Sequence, residues 1–307
     1  MELCLSTSWN AFRYTDGKKV IAEVQRLGFN AVELSFNLTK DMVEDIASLV
    51  KKNKIKVNAL HNFCPIPENL AREVALPDCY SVASLDERER ELAVKYTKAS
   101  IDSARQVNAK AVVMHCGRVE IADRTRELIS IFYSSEGAFD PRLKSITELM
   151  RREREEQARA HLEAVFKSLD ELSPYAQKQQ VALGIENRYY FREIPSFEET
   201  ARLLEHCKGA PVFYWHDTGH AQLWENLGFR KHQEYLDQYG ASLIGVHLHD
   251  IIKDDDHLAP LRGDFDFKLL APYLTKDTIK TLEAHYPASS QDIIKAKDFL
   301  ETLYGEH

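Results

Sequence analysis

No stretch of about 18 apolar residues occurs in this sequence, so nothing in it reads as a membrane-spanning helix. Basic residues are not in excess. Lys and Arg number 40 against 48 Asp and Glu, giving a formal net charge of −8. No basic stripe stands out as the footprint of a nucleic-acid binder, although a local basic patch can sit on an acidic protein. Cysteine is sparse and unpatterned: Cys4, Cys64, Cys79, Cys116 and Cys207 form no CxxC pair, which suggests a reducing compartment. The opening MELCLSTSWN has no basic region followed by an apolar run. The expectation is therefore no secretory signal and a cytoplasmic location. Linkers rich in Gly, Pro or Ser are missing as well, as are low-complexity runs, so the 307 residues read as one domain, 1–307.

What is present is a regular alternation. Eight short apolar runs recur at Leu3–Ser6, Ala31–Ser35, Ile55–His61, Ala111–His115, Ala182–Glu186, Val212–Asp217, Leu243–His247 and Thr278–Glu283. Most are β-branched or leucine-rich, as strands buried on both faces should be. Helical patterns lie between them: Lys18–Leu27 ending before Gly28, Lys40–Lys52, Arg88–Val107, Glu155–Lys178, Ser196–His206 and Ser289–Leu303. Ser196 and Glu199 have capping-box spacing. Strands alternating with helices give a closed parallel barrel or a large doubly wound sheet, and the count of eight favours the barrel. The fold class is thus α/β, a (β/α)8 TIM barrel with insertions after strands three and four. Those excursions, Cys64–Leu85 and Gly117–Glu153, follow strand C-termini, where barrel active sites lie. They are candidate lids, substrate walls or contacts in a homo-oligomer.

Most of the runs end in a residue able to bind a metal: His61, His115, Glu186, Asp217, His247 and Glu283. In a barrel these C-terminal ends ring one mouth, so six sequence-distant side chains converge. A single acid after a strand is usually a turn residue or helix cap. A lone histidine there is usually a hydrogen-bonded core residue. The repetition carries the inference. Three carboxylates (Glu186, Asp217, Glu283) brought within a few ångströms repel one another, and burying them uncompensated costs several kcal/mol. A divalent cation with an imidazole beside the carboxylates resolves this, and mixed O/N donors suit manganese, iron, cobalt or zinc. His220 follows Asp217 by three residues and can aim at the same mouth or cap locally. Asp255 and His257 form an Asp-x-His pair that, in an extended loop, points two ligands the same way; the alternative is a solvated acidic turn. His216 and His249 are off phase and are expected to face away from the axis. With His161, His206, His232, His285 and His307 they are read as structural or surface residues.

GIEN (184–187), HDTGHA (216–221), VHLHD (246–250), HLAPLRGDFDF (257–267) and TLEAH (281–285) occur in this order, with GFNAVELSF (28–36) before them. Together they resemble the xylose-isomerase-like barrel superfamily of sugar isomerases, epimerases and endonuclease IV. The resemblance implies a single-metal site of Glu186, Asp217, His247 and Glu283, and a substrate contact or further metal ligand at His220. It implies further metal ligands, up to three ions in all, at His61, His115, Asp255 and His257. The glycine-rich opening segment and glutamine-rich loop that the endonuclease uses on DNA are absent, LSTSWNAFRYTDG standing there instead. Leu261 follows Pro260 where the family has Pro-Gly.

Three chemistries follow. The first is a sugar or sugar-phosphate isomerase or epimerase. In it Glu186 and Glu283 move the proton through a metal-stabilised enediolate, and His220 and Arg188 orient hydroxyls or a phosphate. The second is a trinuclear phosphodiesterase, favoured by the full ligand set and disfavoured by the missing DNA-reading segments. The third is a lyase or dehydratase on the same site. The first is preferred, with a small carbohydrate as partner rather than nucleic acid or a membrane.

Overall fold

The computed structural model describes residues 2–135 and 140–305. Residues 136–139, inside the expected second excursion, and His307 lie outside the described residues. Among the described residues no helix is long and apolar enough to cross a membrane.

Eight parallel strands close a barrel: β1 (Cys4–Ser6), β2 (Ala31–Leu34), β3 (Lys56–His61), β4 (Ala111–Met114), β5 (Ala182–Glu186), β6 (Val212–Asp217), β7 (Leu243–Leu248) and β10 (Ile279–Leu282), the last pairing back onto β1. Each matches an expected apolar run to within one residue at either end. Between β7 and β10 lies an antiparallel hairpin, β8 (Asp250–Ile252) and β9 (Asp255–Leu258). A 3-10 turn, Phe267–Leu270, takes the place of an α-helix in that crossover.

The remaining crossovers carry helices whose apolar stripes face the strands. In α1 (Gly17–Arg26) the stripe is Val20, Ile21 and Val24; in α2 (Lys40–Lys51) it is Met42, Val43, Ile46 and Ala47. Asp16 and Thr39 cap their N-termini. α3 (Glu87–Gln106) packs against α5 (Pro141–Gln179), which runs straight out of the second excursion after α4 (Thr125–Ser134). α6 (Phe197–His206) has the expected capping box between Ser196 and Glu199. α7 (Thr218–Asn226), α8 (His232–Tyr239) and α9 (Ser290–Tyr304) complete the shell.

The barrel interior is filled unevenly. Ala31, Ala59 and Ala111 present small side chains inward, and the Trp215 indole of β6 occupies the space they leave. Its neighbours in the sheet must then be bare. A Cβ at Gly184 would lie 2.8 Å from Trp215 Cε3, and one at Gly245 2.2 Å from Cζ3. The glycines inside ALGIE and LIGVH are thus fixed by a close approach. Trp215 meets the His247 ring at 5.1 Å between centroids, so a rigid aromatic floor lies directly under the mouth.

Candidate metal centre

Three strand ends bring carboxylates to one imidazole nitrogen of a fourth strand. Nδ1 of His247 lies 2.6 Å from Glu186 Oε1, 2.8 Å from Glu283 Oε2 and 3.7 Å from Asp217 Oδ2. The four ligand atoms all fall within 4.8 Å of one another, and all four side chains are buried. On the far side of the imidazole, Nε2 meets Glu33 at 3.0 Å, and Glu33 also accepts the Thr281 hydroxyl at 3.2 Å. Glu33 was missed in the sequence. The signal was there: a carboxylate in the middle of the apolar AVELSF run must find a partner or pay for burial. Burial alone would disfavour a charged His247. Glu283, Glu33 and Glu186 outweigh it and push the imidazole well above its ordinary range. Such a carboxylate set, with the histidine oriented by an outer carboxylate, fits a divalent cation. These are the four residues expected from the sequence.

Asp217 does two jobs with two oxygens. Oδ1 accepts the backbone N–H of His220 at 2.8 Å and so caps α7, while Oδ2 is the oxygen nearest His247. His249 corrects the sequence reading. It does not face away: Nε2 donates to both Asp217 oxygens at 2.9 Å, and its Nδ1 accepts the His257 backbone N–H at 2.8 Å. Residues after Leu248 have left the strand, so the alternation that placed His249 outside no longer applies. With both ring nitrogens engaged, His249 orients a ligand and is not free to be one. Asn187 ties the end of β5 to β6, accepting Asp217 N–H at 2.8 Å and donating to Asp217 O at 3.0 Å.

A second group consists of His61, His115 and Glu186. His61 Nδ1 is satisfied by the Asn62 carbonyl at 3.0 Å, leaving Nε2 for the mouth. Burial and the adjacent His115 lower its pKa to about 4. His115 Nδ1 bonds Asp78 at 3.1 Å, and its Nε2 lies 3.0 Å from Glu186 Oε2. Burial and Arg188 oppose protonation of His115, but Asp78 and Glu186 outweigh them and raise it to about 9. Asp78 had no signal in the sequence, because it comes from the irregular segment between β3 and α3. Arg188 is buried, with Nη1 on Glu186 Oε2 and Nη2 3.0 Å from Glu193 Oε1.

The third group lies across the mouth. His220 Nδ1 bonds the Asn187 carbonyl at 2.9 Å, and its Nε2 is 3.8 Å from Asp256 Oδ2. His257 Nδ1 is 3.1 Å from the same Asp256 oxygen. Here the structure corrects a second expectation. Asp255 is exposed and belongs to none of the ligand groups. The Asp-x-His argument assumed regular alternation, but His257 has φ 56° and breaks it, so Asp256 rather than Asp255 faces the mouth. His285 is the third correction. Its ring stacks on His257 at 4.0 Å, and it groups with His257 and Glu283. Its Nε2 is buried without a hydrogen-bond partner, and burial beside His257 lowers its pKa to about 3.

The remaining histidines stay away from the mouth. His216 is buried between Tyr214 and His232, and His161 bonds the Ala83 carbonyl. His206 pairs with Asp170 on the surface. A cavity of about 230 Å³ opens above these groups. Pro77 from the first excursion and Arg126 of α4 from the second form part of its wall, with Phe36, Tyr189 and Tyr190. The excursions therefore supply walls to the site.

The architecture recurs in solved proteins. A D-tagatose 3-epimerase-like protein is 21% identical, with TM-score 0.68 over 100% of this chain and 99% of its own. A 3-keto-D-glucoside 4-epimerase from E. coli is 15% identical, with TM-score 0.68 over 98% and 99%. In sequence, an uncharacterized protein of Methanocaldococcus jannaschii is 23% identical over 251 residues, 76% of this chain and 74% of its own. Residues 21–303 match the xylose isomerase-like TIM barrel family, and that span takes in every strand from β2 onward and all of the ligand groups. This chain belongs to the xylose isomerase-like TIM barrel family.

Proposed function

We propose that this protein is a divalent-metal-dependent isomerase or epimerase of a sugar or sugar phosphate, with residues 1–307 working as one barrel domain. The observation that carries the reading is the convergence of Glu186, Asp217 and Glu283 on His247 Nδ1, with Glu33 behind it. Bound there, manganese, iron, cobalt or zinc would supply Lewis-acid polarisation of adjacent substrate oxygens.

The chain's own residues then divide the work. Glu186 and Glu283 come from different strands and flank one small space, so one can take a proton from carbon and the other return it. His220 carries its proton on Nδ1, toward the Asn187 carbonyl, which leaves Nε2 to accept a substrate hydroxyl. Asp256 and His257 add polar contacts on that side. Phe36 and Tyr189 give the wall apolar surface against the carbon face of a sugar. The epimerase names among the structural relatives agree with this chemistry.

A trinuclear phosphodiesterase keeps one observation in its favour, the presence of further ligand groups beside the first. Elemental analysis of protein purified without chelator separates the two. About one ion per chain, with turnover of a ketose in a screen of ketoses, inositols and keto acids, is the expected result. Close to three ions, with phosphodiester cleavage, would replace the isomerase reading by the second.

A further inference from the structure

We propose that Arg188 is a built-in cation that closes the His61–His115–Glu186 group to a metal ion, so that Glu186 serves one ion only, on the His247 side. The inference rests on the metal-dependent reading above. Glu186 is shared unequally between its two oxygens. Oε1 points at His247, 2.6 Å away. Oε2 receives His115 Nε2 at 3.0 Å and the Arg188 guanidinium. That second oxygen is the vertex an ion held by His61 and His115 would need.

The guanidinium is fixed there. Its Nη2 bonds Glu193 Oε1 at 3.0 Å, and Glu193 Oε2 in turn accepts the Tyr190 N–H at 2.8 Å. The Arg188 carbonyl accepts the Trp224 indole N–H at 3.1 Å. The side chain is only 6% exposed, and its Nε is buried with no hydrogen-bond partner. An unsatisfied buried donor on a charged group is costly, so the placement is held by its surroundings and is not a resting pose. Arginine, unlike histidine or lysine, cannot shed its proton to admit an ion. A metal in this group would face a permanent positive charge across a shared oxygen at short range, in a buried site. Without Arg188, two imidazole nitrogens and a carboxylate oxygen would form an ordinary three-ligand pocket. Arg188 is therefore a positioning residue, which sets the number of ions and turns Glu186 Oε1 toward the reacting side.

The test is Mn2+ binding by equilibrium dialysis with electron paramagnetic resonance, which detects coupling between two ions sharing a carboxylate. The wild type is expected to hold one Mn2+ with an uncoupled signal, and His61→Ala in the wild-type background should leave stoichiometry and affinity unchanged. Arg188→Met should gain a second, coupled ion. Adding His61→Ala to Arg188→Met should remove it. Arg188→Met remaining at one ion with a native-like melting profile overturns the proposal. So does a wild type in which His61→Ala costs an ion, a result that stands even if Arg188→Met does not fold. A wild type that takes up no Mn2+ at all instead sinks the metal-dependent reading on which the proposal rests.

Discussion

Glu33 Oε1 lies 3.0 Å from Nε2 of His247, on the opposite side of the ring from the three carboxylates that face Nδ1. With an ion on Nδ1, the pairing keeps the ring proton on Nε2, toward Glu33. Glu33→Ala is expected to weaken ion binding by about 10- to 100-fold with the four ligands intact. Glu33→Gln should lose less, since its amide oxygen still accepts from Nε2. Competition with a chelator measures both, and unchanged affinity in Glu33→Ala would falsify the assignment.

Glu283 meets His247 at 2.8 Å and makes no other side-chain salt bridge among the described residues. Glu283→Gln should therefore lower turnover by at least about 100-fold while the circular dichroism melt stays close to wild type. Glu186→Gln should be equally inactive but less stable, because it also leaves the buried Arg188 short of a partner. Activity near wild type in either variant removes that carboxylate from the proton-transfer pair.

Asp217 separates a structural role from a chemical one. Asp217→Ala removes the cap of α7 and is expected to cost about 1 kcal/mol of metal-free stability. Asp217→Asn keeps the cap through its amide oxygen and should melt closer to wild type. Both should bind the ion poorly. Equal melting temperatures for the two metal-free variants would show that the cap matters little here.

Gly245 sits where a Cβ would lie 2.2 Å from the Trp215 ring. Gly245→Ala should destabilise the barrel by about 1–3 kcal/mol in urea denaturation. Trp215→Phe in the same chain should recover part of that loss. Absence of any recovery would place the strain elsewhere.

Asp255 and Asp256 offer a direct contrast. Asp256 lies beside both His220 and His257, whereas Asp255 is exposed. Asp256→Ala is expected to raise KM for the substrate several-fold, and Asp255→Ala to leave both KM and kcat as they are. The opposite pattern would restore the reading taken from the sequence spacing.

The sequence by itself determined the barrel and which four polar residues meet at its mouth. Eight apolar runs of strand length, separated by helical stripes, leave few topologies, because strands buried on both faces need helices on the outside and partners on each edge. A polar residue at the end of each of the runs Ala182–Glu186, Val212–Asp217, Leu243–His247 and Thr278–Glu283 then puts Glu186, Asp217, His247 and Glu283 at one mouth, since parallel strands share an end. Tertiary structure decided what regular periodicity does not govern. His249 lies one residue beyond its strand, His257 has a left-handed backbone, and Asp78 comes from an irregular segment, so none had a phase to read. Arg188, expected from the sequence to orient substrate hydroxyls or a phosphate, lines the cavity. Its salt bridges to Glu186 and Glu193 depend on how the loop after β5 folds back, and that loop is anchored by the Trp224 indole N–H on the Arg188 carbonyl and by the Thr125 hydroxyl oxygen, which accepts the Phe191 N–H.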